Sequence, residues 1–325
     1  MFVNSDFRPA RWLGNPHLQT VWASRLRRAP CPRLRRERLE LEDGDFIDLD
    51  WTGGAEHGPI VIVLHGLEGS SDSGYARGLL NAAVGRGWRG VVMHFRGCSG
   101  EPNRLRRGYC AGTTDDPARV VETLRERFPD SPLVAVGYSL GGNALLKWLA
   151  ETGAGNPLTA AVAVSIPFQL GSAAERLARG FSRLYQHHLL RCLKLGYTRK
   201  FRGRRDAPYP LERLAALRDF RTFDHFVTAP LNGYGGVDQY YAEASSRSHL
   251  ADIAVPTLIL HARDDPFMTP DVVPTAAELS PCVTLEVSSR GGHVGFVSGS
   301  VLRPEYWLEQ RIPAYIEDLL RTGTG

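Results

Sequence analysis

The chain has 325 residues and a formal net charge of +4, with 43% hydrophobic and 23% charged residues. That length and balance describe a globular chain of two domains, or of one large domain with an insertion. They exclude a disordered chain, a collagen-like repeat and a small disulfide scaffold. The charge is uneven: residues 1–40 carry +6 and residues 171–221 carry +9, which leaves −11 for the rest.

In chain order, Met1–Arg11 has no apolar run and carries Asp6, Arg8 and Arg11, so no secretory signal is expected and a cytoplasmic setting is favoured. Residues 1–38 read as a basic N-terminal helical extension. Within it Leu18, Val21, Trp22 and Leu26 recur at helical spacing opposite Arg25, Arg27 and Arg28. A helix packed on the body is the favoured reading, and a helix lying in a membrane interface is the alternative. Leu39–Trp51 alternates across the turn Glu42-Asp43-Gly44-Asp45, which predicts antiparallel strands at a sheet edge. Strand-length apolar runs follow at Ile60–Leu64, Gly90–Phe95, Leu133–Val136 and Leu158–Ile166, separated by helical patterns at Tyr75–Gly85, Thr113–Phe128 and Ala144–Leu149. Such alternation predicts a mostly parallel sheet covered by helices on both faces.

The alternation stops after Ser165. From Phe168 to about Leu250 the pattern is helical and rich in Arg, Tyr and Leu, and reads as a cap inserted into the sheet domain. Strands return at Val255–His261 and Val283–Val287, with helices expected near Val272–Leu279 and at Trp307–Leu320. The expected organisation is therefore an extension at 1–38, a core at 39–167 and 251–325 with an eight-strand-type sheet, and a helical cap at 168–250.

The strongest chemical signal is Gly137-Tyr138-Ser139-Leu140-Gly141-Gly142, a G-x-S-x-G pattern between a strand and a helix. Gly137 and Gly141 let strand and helix approach, so that Ser139 Oγ projects alone beside a helix N-terminus that favours negative charge. A serine needs a base. The strand ending at His261 runs into Asp264-Asp265-Pro266-Phe267, and the next into Gly291-Gly292-His293, both at the sheet edge where sites collect. His293 is the candidate base. Asp265 is the preferred orienting acid, with Asp264 its competitor. His65-Gly66-Leu67 leaves the first strongly apolar strand, and the N–H groups of Leu67 and Leu140 are the candidate oxyanion donors. His261 reads as a packed histidine. His187, His188 and His225 in the cap, and His249 near its end, read as structural or solvated.

The chain resembles the α/β-hydrolase fold and, more narrowly, the YheT-like family of hydrolases, which contains eukaryotic lipid-ester hydrolases. The resemblance rests on Asn15-Pro16-His17-Leu18-Gln19-Thr20-Val21, Asp43–Trp51, His65-Gly66-Leu67-Glu68-Gly69-Ser70-Ser71, Phe95–Glu101, the turn at Ser139, Asp264-Asp265-Pro266-Phe267 and Gly291–Phe296, in that order. Nothing in those motifs departs from the family pattern. It implies carboxylic-ester hydrolysis, of short- to medium-chain acyl or lipid esters, with a triad falling on Ser139, Asp265 and His293. The motif at His17-Leu18-Gln19-Thr20 belongs to the resemblance without a physical role readable from the sequence.

The expected reaction needs no metal and no cofactor. The five cysteines are odd in number and scattered, and read as reduced thiols. The expected partner is a small-molecule ester, with no nucleic acid, and the basic stretches leave a contact with an anionic membrane surface open. Cap aromatics Phe168, Tyr185, Phe201, Phe223, Tyr240 and Tyr241 are candidates to line an acyl pocket. The rivals are an acyltransferase or thioesterase with the same triad, and a non-catalytic binding protein on the fold.

Overall fold

A computed structural model describes residues 1–322. Nine strands form one sheet: β1 (Phe2–Asn4), β2 (Arg35–Glu40), β3 (Phe46–Trp51), β4 (Ile60–Leu64), β5 (Arg89–Met93), β6 (Leu133–Tyr138), β7 (Ala160–Val164), β8 (Thr257–Ala262) and β9 (Val283–Ser288). Their order is β1-β9-β8-β7-β6-β4-β5-β3-β2. β3 runs antiparallel to β5, and β2 antiparallel to β3. Every other pairing in the sheet is parallel. A separate ribbon pairs β10 (Val297–Gly299) with β11 (Pro304–Tyr306).

The helices are α1 (Pro16–Val21), α2 (Gly74–Val84), α3 (Asp115–Arg127), α4 (Leu140–Thr152), α5 (Leu170–Leu177), α6 (Arg183–Phe201), α7 (Phe220–Phe223), α8 (Ala229–Leu231), α9 (Val237–Ala244) and α10 (Leu308–Thr322). The continuous apolar runs of the central strands have a direct cause. Side chains alternate between faces, so Ile60, Ile62 and Leu64 join one core with Val120, Leu124 and Leu145 of α3 and α4. Val61 and Val63 join the other, with Leu79, Leu80, Ile312 and Ile316 of α2 and α10. A strand buried on both sides favours apolar residues on both faces.

Between β7 and β8 the chain forms helices joined by turns, with no strand. Leu190, Phe201, Phe220 and Phe223 form a small core of its own, which rests on Leu67 and Phe267. Phe201 and Phe223 are therefore used for packing the cap, and Phe168 is buried against His261.

Three expectations change. The 1–38 stretch is not simply helical: Phe2–Asn4 pairs in parallel with Leu285–Val287, which makes nine strands where eight were expected, and β2 already begins at Arg35. The edge strand β9 otherwise leaves a row of backbone groups unpaired, and an added strand satisfies them. The helix expected near Val272–Leu279 is two single turns, Pro270–Val272 and Ala276–Glu278. Pro274 explains the break, since it removes an N–H and turns Val273 away from helical angles.

Candidate active site

Ser139 sits between β6 and α4 at φ 50° and ψ −117°, a conformation that L-residues adopt only when the surroundings impose it. Two glycines impose it. A Cβ on Gly141 would lie 2.4 Å from the carbonyl oxygen of His65 and 2.5 Å from that of Leu64, and one on Gly137 would lie 2.6 Å from the carbonyl oxygen of Gly141. With α4 pressed onto β4 and β6 in this way, the turn has one route left, and Ser139 stands at its tip.

The hydroxyl of Ser139 meets Nε2 of His293 at 2.9 Å, and Nδ1 of His293 meets Oδ2 of Asp265 at 2.8 Å. Because a carboxylate accepts, Nδ1 carries the proton and Nε2 presents its lone pair to the hydroxyl. The other oxygen of Asp265 accepts from the Phe267 N–H at 2.8 Å. The ring of Phe267 stacks on the imidazole, centroids 3.9 Å apart and 8° from parallel. Asp264 is placed differently: its Oδ1 accepts from the N–H of Gly292 at 2.9 Å, so it ties the histidine loop rather than the imidazole. Burial lifts Asp264 above the usual carboxylate range, against the pull of those backbone donors.

The loop that carries His293 is held from three sides. Its backbone N–H donates to Thr20 Oγ1 at 2.9 Å, and that hydroxyl donates to the carbonyl of Pro16 at 2.8 Å. The Val294 N–H donates to Ser165 Oγ at 3.0 Å. Buried Gln19 donates to the carbonyls of Leu13 and Val297 and accepts from the Val297 N–H at 2.8 Å. Gly292, at φ 62°, and Gly295 let α1 come this close, since a Cβ on either would lie within 3.0 Å of Pro16 or Gln19. The motif without a readable role is thus a clasp on the histidine loop. Thr20 stood inside that motif without a readable role, and Ser165, at the end of an apolar strand, carried no signal in the sequence.

His65 does not join the triad candidates. Its Nδ1 donates to the carbonyl of Gly66, and its Nε2 accepts from the Phe95 N–H at 3.1 Å. Burial pushes its pKa down to about 3, so it stays neutral and serves as a staple between β4 and the loop after β5. Next to it Gly66 N–H donates to Tyr75 Oη, and Glu68, at φ 54°, donates its N–H to Tyr109 Oη while its carboxylate accepts from the same hydroxyl, both at 2.8 Å. Leu67 lies between these two anchors. Leu140 opens α4, where N–H groups have no partner inside the helix. Tyr75 and Tyr109 are further positioning residues that the motif reading did not single out.

Leu67, Leu140, Ser139 and His293 border one cavity, lined chiefly by apolar side chains of the cap, with a volume of about 800 Å³ including space open to solvent. Tyr240 and Tyr241 line it and Tyr185 does not. Tyr185 instead borders a second, wider cavity that reaches Ser139 from the side of α1. Another buried histidine, His261, has its pKa lowered by burial to about 4.

A family model described as the alpha/beta hydrolase fold matches residues 59–300. The chain is 46% identical, over 98% of its own length and 94% of the relative's, to a protein of Escherichia coli named "Putative esterase YheT". It is 29% identical to phospholipase ABHD3 of Mus musculus over 99% of its own length and 80% of the relative's. The solved structure of the Pyrococcus furiosus esterase Pf2001 is similar in fold, with a TM-score of 0.58 at 15% identity, covering 100% of this chain and 98% of that one.

Proposed function

We propose that this chain, which belongs to the α/β-hydrolase family and within it to the YheT-like group, hydrolyses carboxylic esters through Ser139, His293 and Asp265. The observation that carries the reading is the unbroken hydrogen-bond path from Ser139 Oγ through the imidazole to Asp265, opening on a largely apolar cavity. Ser139 Oγ attacks the ester carbonyl carbon while His293 Nε2 takes its proton. The oxyanion is held by the N–H groups of Leu67 and Leu140, each such donor being worth about 3 kcal/mol of barrier. Collapse expels the alcohol, protonated by His293, and leaves an acyl-enzyme. Water then attacks the acyl carbon, giving a proton to His293. The acid departs as Ser139 recovers its hydrogen. Asp265 keeps the imidazole in the useful tautomer and stabilises its cation.

The cap, residues 168–250, supplies the wall against which the acyl chain packs. The name of the phospholipase relative supports an acyl ester of a lipid as the substrate class. The second cavity, which also reaches Ser139, leaves space for the alcohol part of the ester. The test is labelling by a fluorophosphonate, native protein beside Ser139→Ala, with p-nitrophenyl esters of increasing acyl length. Labelling that vanishes in the variant, with turnover that peaks at one length, is expected. Labelling without turnover moves the reading to a transferase or thioesterase. Absence of labelling in folded protein overturns the nucleophile assignment.

A further inference from the structure

The wider cavity leads out between two elements. It runs from Ser139 and His293 past Val21 and Arg25, on and just after α1, to Phe181, Leu184 and His188 at the start of α6, and encloses about 1480 Å³ including space open to solvent. Contacts across the gap fix the two elements together: the His17 ring lies 4.4 Å from that of Phe181, His17 Nδ1 meets Tyr185 Oη at 3.1 Å, and Arg25 donates to His188.

Large apolar side chains of these two elements stand in water. Phe181, 52% exposed, and Leu184, 60%, border the cavity; Leu18 on α1 is 51% exposed, Leu26 just after it 58%, and Leu195 continues the outer face of α6 at 60%. Scattered exposed leucines are ordinary, whereas several on two elements that border one cavity call for a partner. The charge says which. Residues 16–28 and 176–205 contain no aspartate or glutamate, and hold three and ten Lys or Arg respectively. Some of these are engaged: Arg27 with Glu309, Arg204 with Asp206, and half-buried Lys200 with Asn103. Arg28, Arg183, Arg191 and Lys194 have no carboxylate partner among the described residues, and the three arginines are exposed. A second copy of this chain would bring positive charge against positive charge. Nucleic acid offers no apolar layer for leucine and phenylalanine side chains to enter. An anionic lipid surface supplies both, with phosphates at the depth of the arginines and acyl chains just below.

We propose that the face formed by α1, the turn after it and the exposed side of α6 docks on an anionic membrane surface, with Leu18, Leu26, Phe181 and Leu184 entering the headgroup boundary. Docking sets the mouth against the lipid, so an ester leaves the bilayer for Ser139 without crossing water. That last step rests on the hydrolase reading; the docking does not.

The experiment is co-sedimentation of the full chain with vesicles of phosphatidylcholine, alone or mixed with phosphatidylglycerol. Binding to the mixed vesicles is expected to be at least roughly 10-fold tighter and to weaken as salt rises. Leu26→Ser/Leu195→Ser, both outside the clasp and the cavities, and Arg28→Glu/Arg191→Glu are expected to lose that binding while hydrolysing water-soluble p-nitrophenyl acetate at the native rate. Val84→Ser, an exposed apolar position on α2, is expected to bind as the native chain does. Equal binding to both vesicle types, or variants that bind as well as native, overturns the proposal. So does a stable dimer in light scattering that binds no vesicle. Vesicle binding without ester turnover leaves the docking standing and removes the hydrolase reading; turnover without vesicle binding does the reverse.

Discussion

Each polar group of His293 is met by a different part of the chain: its N–H by Thr20, Nδ1 by Asp265 and Nε2 by Ser139. A buried hydrogen bond lost on one side costs about 1–3 kcal/mol. Thr20→Val keeps the shape of the side chain and removes the acceptor, so the loop loosens while the imidazole stays. We expect kcat to fall roughly 10- to 100-fold with KM nearly unchanged, and the rate of fluorophosphonate labelling to fall in parallel. A kcat within twofold of native would show that the clasp is not used. The two aspartates separate by the same measurement. Asp265→Asn should lower kcat by about 10⁴, since it favours the wrong tautomer. Asp264→Asn still accepts from Gly292 and should cost roughly tenfold or less. The sequence left these two carboxylates as competitors because both end the same strand and only the turn that follows decides which one faces the ring. The role of Thr20 was not legible at all, since its partner lies 273 residues away.

At the scale of elements, the strands and the nucleophile turn were readable because their causes are local. Alternating burial on both faces dictates the apolar runs, and the tight α4–β4 contact dictates glycine at 141. Gly141→Ala should therefore destabilise by more than about 3 kcal/mol, measured by urea unfolding, or prevent folding outright. A midpoint near that of native would mean that α4 can shift. The cap was legible as helical but not in its packing. Asp224 opens a π-helical turn, Asp224–Thr228, and accepts from the hydroxyls of Thr228 and Tyr241 at the edge of the apolar cavity. Burial raises its pKa from 3.8 to about 6. Between those values the folded chain binds more protons than the unfolded one, so the stability from the neutral acid is complete below about pH 4 and is lost as pH rises through 6. Asp224→Asn has no such loss. Its Tm advantage over native should grow from pH 4 to pH 7, and a difference that is flat with pH would rule out this site as the cause.

For the whole molecule, what composition could not disclose is how distant segments close on one another. The N-terminal stretch supplies a sheet edge through β1 and a clasp on the histidine loop through α1, and the cap borders the serine and meets α1 through Phe181 and Tyr185. Each arrangement depends on pairings between segments that sequence patterns, being local, do not encode. The result is two spaces meeting at Ser139, one walled by α5 and α9 of the cap and one between α1 and α6. On the proposed reading, a substrate that spans both has its acyl part sized by the first and its alcohol part in the second. Ala174 of α5 lines the first space and not the second. Ala174→Phe is expected to fill part of the first space alone. On p-nitrophenyl esters, kcat/KM for the longest acyl chains should drop by roughly 10-fold or more, while the acetyl ester changes by no more than about threefold. An equal loss at every chain length would mean that the cap cavity does not hold the acyl group, and the assignment of the two spaces would have to be exchanged.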